Sequence, residues 1–532
     1  MNAQLIRLNL RLARMTILWW CLGLWLFVAA MPPAYLQYYP TLAGREPLVA
    51  GMRDNMGTKA MYGVFPPPGT IGQFTAWEIG AWACILSSVM AVLIFTTMYR
   101  GAELRGESEL IQSLGLPRST IFRAALFAST LVAILVGAGL ALILLALHYL
   151  STEEISIDGA FTFGALISLT MIGCIGLTSI LQSLIGGSTN LNRLGLLIIA
   201  ASFLIRVFAD SYDSGLSGIL NWISPLGWRA HIMPFTDDDW GAVGWAALIC
   251  VGLFILAVVL DSYRSVHSAL IPAREGRGRG ARKIRGLVSL NLLTHRGMII
   301  AWALTCGVII ACILPLIDSM IPLLEEDDAT LNIIQDLLPM KDIQSEFIIY
   351  VFQMVAVLVA VAVTQPLVSY IGQERSRLID TIRATGISRH RPLAGAVTTA
   401  VLTGFACAIL SILGGLLALQ IQDGEVAEGK KLILTAGLSL ILQALAFIGI
   451  ATLLAGWAPR LIQLSWLPVV LAGTVSILGP LLTLTPEQVD LSPLSHTLTP
   501  SGGDIGALAI FSALGLTSVI IGLIGARERE IR

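Results

Sequence analysis

Charge is scarce in this chain of 532 residues: Asp, Glu, Lys and Arg together make up 13% of it, while 56% of the residues are hydrophobic. Soluble proteins carry about 25% charged residues. The composition therefore excludes a soluble protein and indicates one that crosses a membrane many times. The net charge is only -1, and the basic residues are sorted by membrane side rather than gathered into a groove, so we expect no nucleic-acid partner.

Motifs for catalysis and metal binding are also missing. The chain has no G-x-x-x-x-G-K-[S/T] loop and no polar stretch long enough for an ATPase domain. Its seven cysteines lie in apolar runs without a metal-ligand or C-x-x-C spacing, which is typical of small buried hydrophobes. The acid runs T-D-D-D-W (236–240) and L-L-E-E-D-D-A-T (323–330) are the candidates for a membrane-embedded enzyme, but acid runs in loops are usually solvated. We expect no catalytic residue and no metal site.

Long hydrocarbon runs are abundant, and twelve of them reach the roughly 20 residues that cross a bilayer. Arginines lie before the first run, after the second, sixth and eighth, and after the last, so the positive-inside rule predicts that both termini are cytoplasmic. The first run resembles a signal peptide, but its tryptophans favour a retained span. The runs lie near 15–33, 77–98, 120–149, 159–186, 193–209, 241–262, 298–318, 346–371, 392–421, 432–457, 461–484 and 504–526.

The two halves of the sequence repeat each other in order. Three pairs of segments match: 5–20 with 287–302, 99–118 with 370–389, and S-P-L-G-W (224–228) with S-P-L-S-H (492–496). An even number of spans in each copy gives both copies the same orientation. We therefore expect an all-α polytopic membrane protein with 12 transmembrane helices in two parallel, pseudo-symmetric six-helix halves. The expected segments are an interfacial helix (1–14), a first half (15–262), a Gly/Arg linker (263–286), a second half (287–526) and a cytoplasmic tail (527–532).

The link after the second span of each half has the pattern of a short amphipathic helix. Leu110, Ile111 and Leu114 share one helical face, as do Leu378, Ile379 and Ile382. Charged residues are spaced for pairing, as Arg105 with Glu109 and Asp380 with Arg383. Gly115 and Gly386 are placed to end these helices in a left-handed conformation. Such a helix either lies on lipid headgroups or docks a cytoplasmic partner, and its repetition favours docking.

The duplicated Glu-x5-acid-x5-Gly-x2-Arg pattern, with S-P-L-G-W, resembles the permease subunits of bacterial ABC-2-type exporters. The twelve-span form is similar to actinobacterial permeases that export polyketide antibiotics such as tetronasin. The resemblance implies that the two links are coupling helices for two copies of a separate ATPase, which supplies ATP and Mg, and that the chain itself holds no cofactor. The residues expected to dock the ATPase are Glu103, Glu107, Glu109, Arg118, Glu374, Arg377, Asp380, Arg383 and Arg389.

The same resemblance implies a bacterial cytoplasmic membrane and export of a hydrophobic drug or antibiotic through a path lined by the second and fifth spans. Candidate residues on that path are Trp82, Met90, Gln353, Gln365 and Gln463, although hydrogen bonding between helices explains them equally well. Two alternatives stay open: a proton-coupled secondary transporter, which ordinarily carries charges at mid-membrane, and an ABC exporter of lipid or glycolipid. The spans here are nearly uncharged, which favours the ABC class.

Overall fold

The computed structural model describes residues 3–54, 56–104, 106–151, 154–185, 191–211, 215–263, 286–315, 343–421, 426–478, 485–500 and 502–529. All regular elements within these ranges are helical, as the sequence predicts. The chain divides into two compact units, Met1–Gly276 and Arg277–Arg532, each with its own hydrophobic core. The acid run at 323–330 and nearly all of the expected Gly/Arg linker lie outside the described residues.

The first unit contains eleven helices of four or more residues within its described residues, and a three-residue helix, Ala102–Leu104, continues α4. Residues of the expected interfacial helix (1–14) continue into the first span as one helix, α1. The helices are α1 (Ala3–Tyr38), α2 (Leu42–Asp54), α3 (Met56–Tyr62), α4 (Ile71–Gly101), α5 (Glu107–Ser113), α6 (Arg118–Leu150), α7 (Ile157–Leu184), α8 (Leu191–Ser211), α9 (Ser217–Ile223), α10 (Arg229–Ile232) and α11 (Trp240–Ser262).

The second unit follows a similar order within its described residues. A 3₁₀ turn at Pro459–Ser465 precedes α17, and the first unit has one after α9, at Pro225–Gly227. The helices are α12 (Leu287–Ile313), α13 (Ile343–Arg375), α14 (Leu378–Arg383), α15 (Arg391–Ile421), α16 (Val426–Trp457), α17 (Trp466–Leu478), α18 (Pro486–Val489) and α19 (Ile505–Glu528).

Local chemistry explains where several helices begin. Thr70 and Gln73 form a capping box at the start of α4, the Ser156 hydroxyl accepts the Gly159 N–H at 3.0 Å at the start of α7, and Asp239 accepts two N–H groups at the start of α11. Such side chains satisfy amide groups that the first turn of a helix leaves without partners. Asp239 belongs to the T-D-D-D-W run, so part of that acid run serves as a helix cap.

Eleven helical segments in the described part of the chain are long and apolar enough to cross a membrane. They correspond to eleven of the twelve predicted runs. The remaining run, 193–209, forms α8, a 21-residue helix that is not among the eleven. Arg193 and Arg206 lie on it.

The two units pack their helices in the same pattern. In the first unit α1 packs on α6, α6 on α7 and α7 on α11, while α4 packs on α7 and α8. In the second unit the corresponding helices make the same contacts: α12 packs on α15, α15 on α16 and α16 on α19, while α13 packs on α16 and α17. Glycines allow the closest of these contacts. A Cβ on Gly164 would lie 2.5 Å from the Gly137 carbonyl oxygen, and one on Gly522 would lie 2.5 Å from the Thr452 carbonyl oxygen. Close backbone approach is how helices associate without a hydrophobic driving force.

Candidate functional site: the linking helices and their supports

The predicted amphipathic helices are present as α5 and α14, which we call the linking helices. Gly115 and Gly386 both have φ of +82°, and their N–H groups donate to Gln112 and Arg383 carbonyl oxygens at 2.9 and 3.0 Å. The prediction that these glycines end the helices in the left-handed region is confirmed. Each linking helix is thus a short, separate helix between two long ones.

The residue before each linking helix has the same unusual backbone. Gly106 precedes α5 with φ of +74°, and Arg377 precedes α14 with φ of +59°. These positions are equivalent in the sequence repeat. A left-handed conformation costs a residue with a Cβ about 1–2 kcal/mol relative to glycine. The backbone at Arg377 is therefore strained, whereas the backbone at Gly106 is not.

Apolar side chains on the linking helices are largely exposed. Leu110 and Leu114 are 68% and 76% exposed, and Leu378 is 62% exposed, whereas Ile379 is buried at 2%. The predicted apolar face is therefore divided: Ile379 anchors α14 on its own unit, and the leucines project outward. Exposed leucines beside charged residues suit either a protein partner or lipid headgroups.

Two of the carboxylates expected to meet an ATPase are instead held inside the chain. Glu103 is buried and lies 2.5 Å from Arg100, three residues earlier. Glu374 is mostly buried and accepts a hydrogen bond from Arg383 of α14 at 3.1 Å. Opposite charges removed from water stabilise each other when paired, and removal of one partner leaves a costly buried charge. Glu374 therefore joins α14 to α13, whereas Glu103 pairs within the segment that precedes α5.

The remaining predicted docking residues are nearer the surface. Asp380 is half-buried and pairs with Arg383 at 3.5 Å, as the spacing predicts. Glu109, Arg377 and Arg389 are exposed, and Glu107 is half-buried. Arg105 and the side chain of Arg118 lie outside the described residues. Docking by this set stays a prediction.

The final helix of each unit is tied to the segment that leads into its linking helix. In the first unit, the Tyr99 hydroxyl donates to the Asp261 carboxylate at the end of α11. In the second unit, the Arg529 guanidinium, directly after α19, donates to the Glu374 carboxylate and to the Ala455 carbonyl oxygen at 3.1 Å. The sequence analysis did not predict either contact, because it used the arginines after the last run only to orient the chain in the membrane. A carboxylate at the end of an apolar run, Asp261, was the sequence signal that pointed to the first contact.

The predicted substrate-path residues have dispersed positions. Met90 is fully buried in its core, and Trp82 and Gln463 are exposed. The Gln353 amide donates to the Ser495 carbonyl oxygen at 3.0 Å, and the Gln365 carbonyl accepts from the Trp302 indole at 2.8 Å. Hydrogen bonding inside the unit accounts for both of these glutamines, and their role in a substrate path stays a prediction.

The S-P-L motif forms equivalent turns in the two units. The Ser224 hydroxyl donates to the Ser202 carbonyl oxygen of α8 at 2.7 Å, and the Ser492 hydroxyl donates to the Ala472 carbonyl oxygen of α17 at 2.9 Å. Trp228 then fills a buried site against Gly173 and donates to the Trp222 carbonyl oxygen at 2.9 Å. Each turn is thus bonded to the middle of the fifth long apolar helix of its unit.

The described residues contain no group of three or more His, Cys, Asp and Glu side chains that could hold a metal ion. Asp238 accepts from the Thr162 hydroxyl at 2.6 Å and from the Phe235 N–H at 2.9 Å. The two aspartates Asp238 and Asp239 therefore order their own loop. Six of the seven cysteines are buried, whereas Cys312 is exposed.

These helices define a multi-pass helical membrane protein with two similarly packed units, each carrying a linking helix at one end of its long helices. Comparison of the sequence with known proteins shows a more specific similarity. Residues 284–527 match the family model for the C-terminal domain of the multidrug efflux system permease Rv1217c. The chain is 25% identical over 539 residues to the multidrug efflux system permease protein Rv1217c of Mycobacterium tuberculosis, a match that covers 99% of this chain and 95% of that protein.

Proposed function

We propose that this chain is the membrane-spanning permease subunit of an ATP-driven exporter of the ABC-2 class, which expels hydrophobic or amphipathic drugs. The observation that carries the proposal is the pair of linking helices with outward leucines, of which α14 is joined to α13 by the ion pair of Arg383 with Glu374. Similarity to a multidrug efflux permease over nearly the whole chain supports the same conclusion.

In this proposal α8 is the twelfth span, and the two units are parallel six-span halves with pseudo-symmetry. The matching helix contacts and the matching S-P-L turns support a repeat. The linking helices then face the cytoplasm of a bacterium together with both termini, as the arginine distribution predicts.

Energy enters through two copies of a separate ATPase subunit, which binds ATP and Mg. The outward leucines fill a groove on each copy, and Glu107, Glu109, Asp380 and Arg389 surround that contact with charge. Apolar anchors ringed by polar residues are the usual arrangement of a protein interface. The ties at Asp261 and Arg529 pass a movement of each linking helix to the final helix of its unit.

The test is co-purification of the full chain with the ATPase subunit from its native membrane in mild detergent. Replacing both Leu110 and Leu378 by Asp should abolish co-purification and ATP-driven export, while the chain stays inserted and folded. Leu491→Asp is a matched control, because Leu491 is 76% exposed on the loop between α18 and α19, away from the linking helices.

Retention of the ATPase subunit by the double variant would contradict the docking assignment. A wild-type chain that purifies alone and moves its substrate on a proton gradient would contradict the ABC class. If an ATPase subunit is present but only a lipid or glycolipid is transported, the class would hold and the drug cargo would be wrong.

A further inference from the structure

A polar cavity of about 460 Å³ lies in the first unit, at the end of α4 opposite the linking helix α5. We call it the polar pocket. Its walls come from α3, the first turns of α4, the end of α8 and the segment from α9 to Thr236. The lining residues that matter for its chemistry are Lys59, Trp77, Arg206, Asp210, Leu226 and Arg229.

The pocket has more positive than negative charge. Asp210 is the one carboxylate in the described lining, and it lies 3.6 Å from Arg206. Lys59 has no carboxylate within 4 Å among the residues that the structure describes. Three cations against one anion leave the lining with an excess of two positive charges.

Arg229 is held by backbone oxygens rather than by an acid. Its guanidinium donates to the Trp77 and Ala76 carbonyl oxygens at 2.6 and 3.3 Å, and also to the Tyr62 carbonyl oxygen. Ala76 and Trp77 lie in a π-helical turn, Thr75–Ile79. Burial lowers the pKa of Arg229, but an arginine starts from so high a value that it stays charged. Its charge is thus fixed in place without being neutralised.

The rest of the lining is suited to an apolar body. Trp77, Val64, Pro66 and Leu226 contribute aromatic and aliphatic surface, and the Trp77 indole N–H already donates to the Gly63 carbonyl oxygen at 2.8 Å. A site of this kind holds an apolar ligand and orients it by a few polar groups.

The cavity beside the S-P-L turn of the second unit has a different lining. A cavity of about 700 Å³ lies beside the equivalent S-P-L turn, and its described lining, which includes Phe447, Leu471 and Phe511, contains no charged residue. Thr497 stands where the repeat places Arg229. The described lining of this second cavity therefore differs in charge from that of the polar pocket.

We propose that the polar pocket binds an amphipathic organic anion, with its carboxylate or phosphate group between Lys59 and Arg206 and its apolar part against Trp77. The anion comes from a bilayer phospholipid or from a dissolved amphiphile. The pocket's place in transport rests on the proposed function, but binding itself does not.

The experiment uses the full chain in nanodiscs of phosphatidylcholine, without ATP or a partner, and measures binding by calorimetry against empty nanodiscs. The probes are hexyl phosphate and hexylammonium, which share a chain and differ in charge. Hexyl phosphate should bind at one site, and hexylammonium at least tenfold more weakly. Lys59→Gln should weaken hexyl phosphate binding about tenfold, since a charged hydrogen bond is lost.

Arg53→Gln is the matched control, because it removes one positive charge from the exposed end of α2 without touching the pocket. Equal affinity for the two probes, or equal binding by the Lys59 and Arg53 variants, would overturn the proposal. Neither result would bear on whether an ATPase docks, so the two proposals fail separately.

A second set of nanodiscs containing phosphatidylglycerol identifies the source of the anion. Weaker hexyl phosphate binding there in the wild type, but not in Lys59→Gln, would assign the pocket to a phospholipid. Unchanged wild-type binding would assign it to a dissolved amphiphile.

Discussion

Arg529 donates a hydrogen bond to Glu374 across 155 positions of sequence, and the same carboxylate oxygen accepts from Arg383 of the linking helix α14. One carboxylate thereby joins α13, α14 and the end of α19. Because Glu374 is mostly shielded from water, its charge depends on both guanidinium groups. The end of the final helix and the linking helix are therefore one electrostatic unit.

Replacing Arg529 by Gln should lower the free energy of unfolding by about 1–3 kcal/mol, since a charged hydrogen bond to a buried acceptor is lost. If the proposed function is right, ATP-driven export should fall more than ATP hydrolysis does. Arg527→Gln is the control, because Arg527 is exposed in the last turn of the same helix. Equal thermal stability of the two variants in detergent would contradict the role of Arg529.

Tyr99→Phe should destabilise the first unit by about 1–3 kcal/mol, because it removes a donor to the buried Asp261 carboxylate. Asp261→Asn should reduce that penalty, and a double-mutant cycle on thermal unfolding measures the coupling between the two residues. Tyr370→Phe is the comparison at the equivalent position, where the hydroxyl accepts a longer bond of 3.3 Å from Arg383. A larger effect at Tyr370 than at Tyr99 would be inconsistent with the tie.

Gly106→Ala and Arg377→Gly should act in opposite directions. Both positions have positive φ, so a Cβ at position 106 should cost about 1 kcal/mol and its removal at position 377 should gain about the same. The unfolding temperatures of the two variants test whether both positions need the left-handed conformation. A loss of stability in Arg377→Gly would mean that the arginine side chain contributes more than its strained backbone costs.

Gly522→Leu should prevent correct packing of α19 on α16. Its Cβ would lie 2.5 Å from the Thr452 carbonyl oxygen, and overpacking a tight contact costs about 1–3 kcal/mol or more. Gly506→Leu, on the same helix, has nothing within 4 Å of an added Cβ and should be tolerated. The yield of monodisperse protein in size-exclusion chromatography distinguishes the two.

Acid should weaken the ion pair between Glu154 and Arg45, whose atoms lie 2.6 Å apart. Burial raises the pKa of Glu154, but hydrogen bonds from Arg45 and the Ile71 N–H outweigh it and leave the pKa below its ordinary value of 4.5. The stabilisation is therefore complete above pH 4.5 and is lost as the pH falls through the lower value of the folded state.

In Glu154→Gln this acid-dependent loss should be smaller, as followed by the unfolding temperature between pH 7 and pH 3.5. Glu46→Gln serves as the control, because Glu46 is exposed on α2. A wild-type acid sensitivity unchanged in Glu154→Gln would exclude this pair as its source.

The sequence alone predicted the helical class, the short linking helices, and twelve apolar runs, of which eleven form helices long and apolar enough to cross a membrane. These features depend on hydrocarbon runs and on glycines at fixed offsets, which act locally along the chain. The predicted short-range contact of Asp380 with Arg383 is confirmed for the same reason. The status of α8 was harder to predict because an arginine near a helix end is compatible with a span or with a surface helix.

Only the tertiary structure decided what lies behind the linking helices and inside the polar pocket. Glu374 and Arg529, or Tyr99 and Asp261, are far apart in sequence, and no local rule pairs them. Arg229 donates to the Trp77 carbonyl oxygen, 152 residues earlier in the chain, and a hydropathy pattern cannot predict such a contact. Long-range pairing of buried polar groups follows from how whole helices pack, because each such group must find its partner wherever the fold brings one.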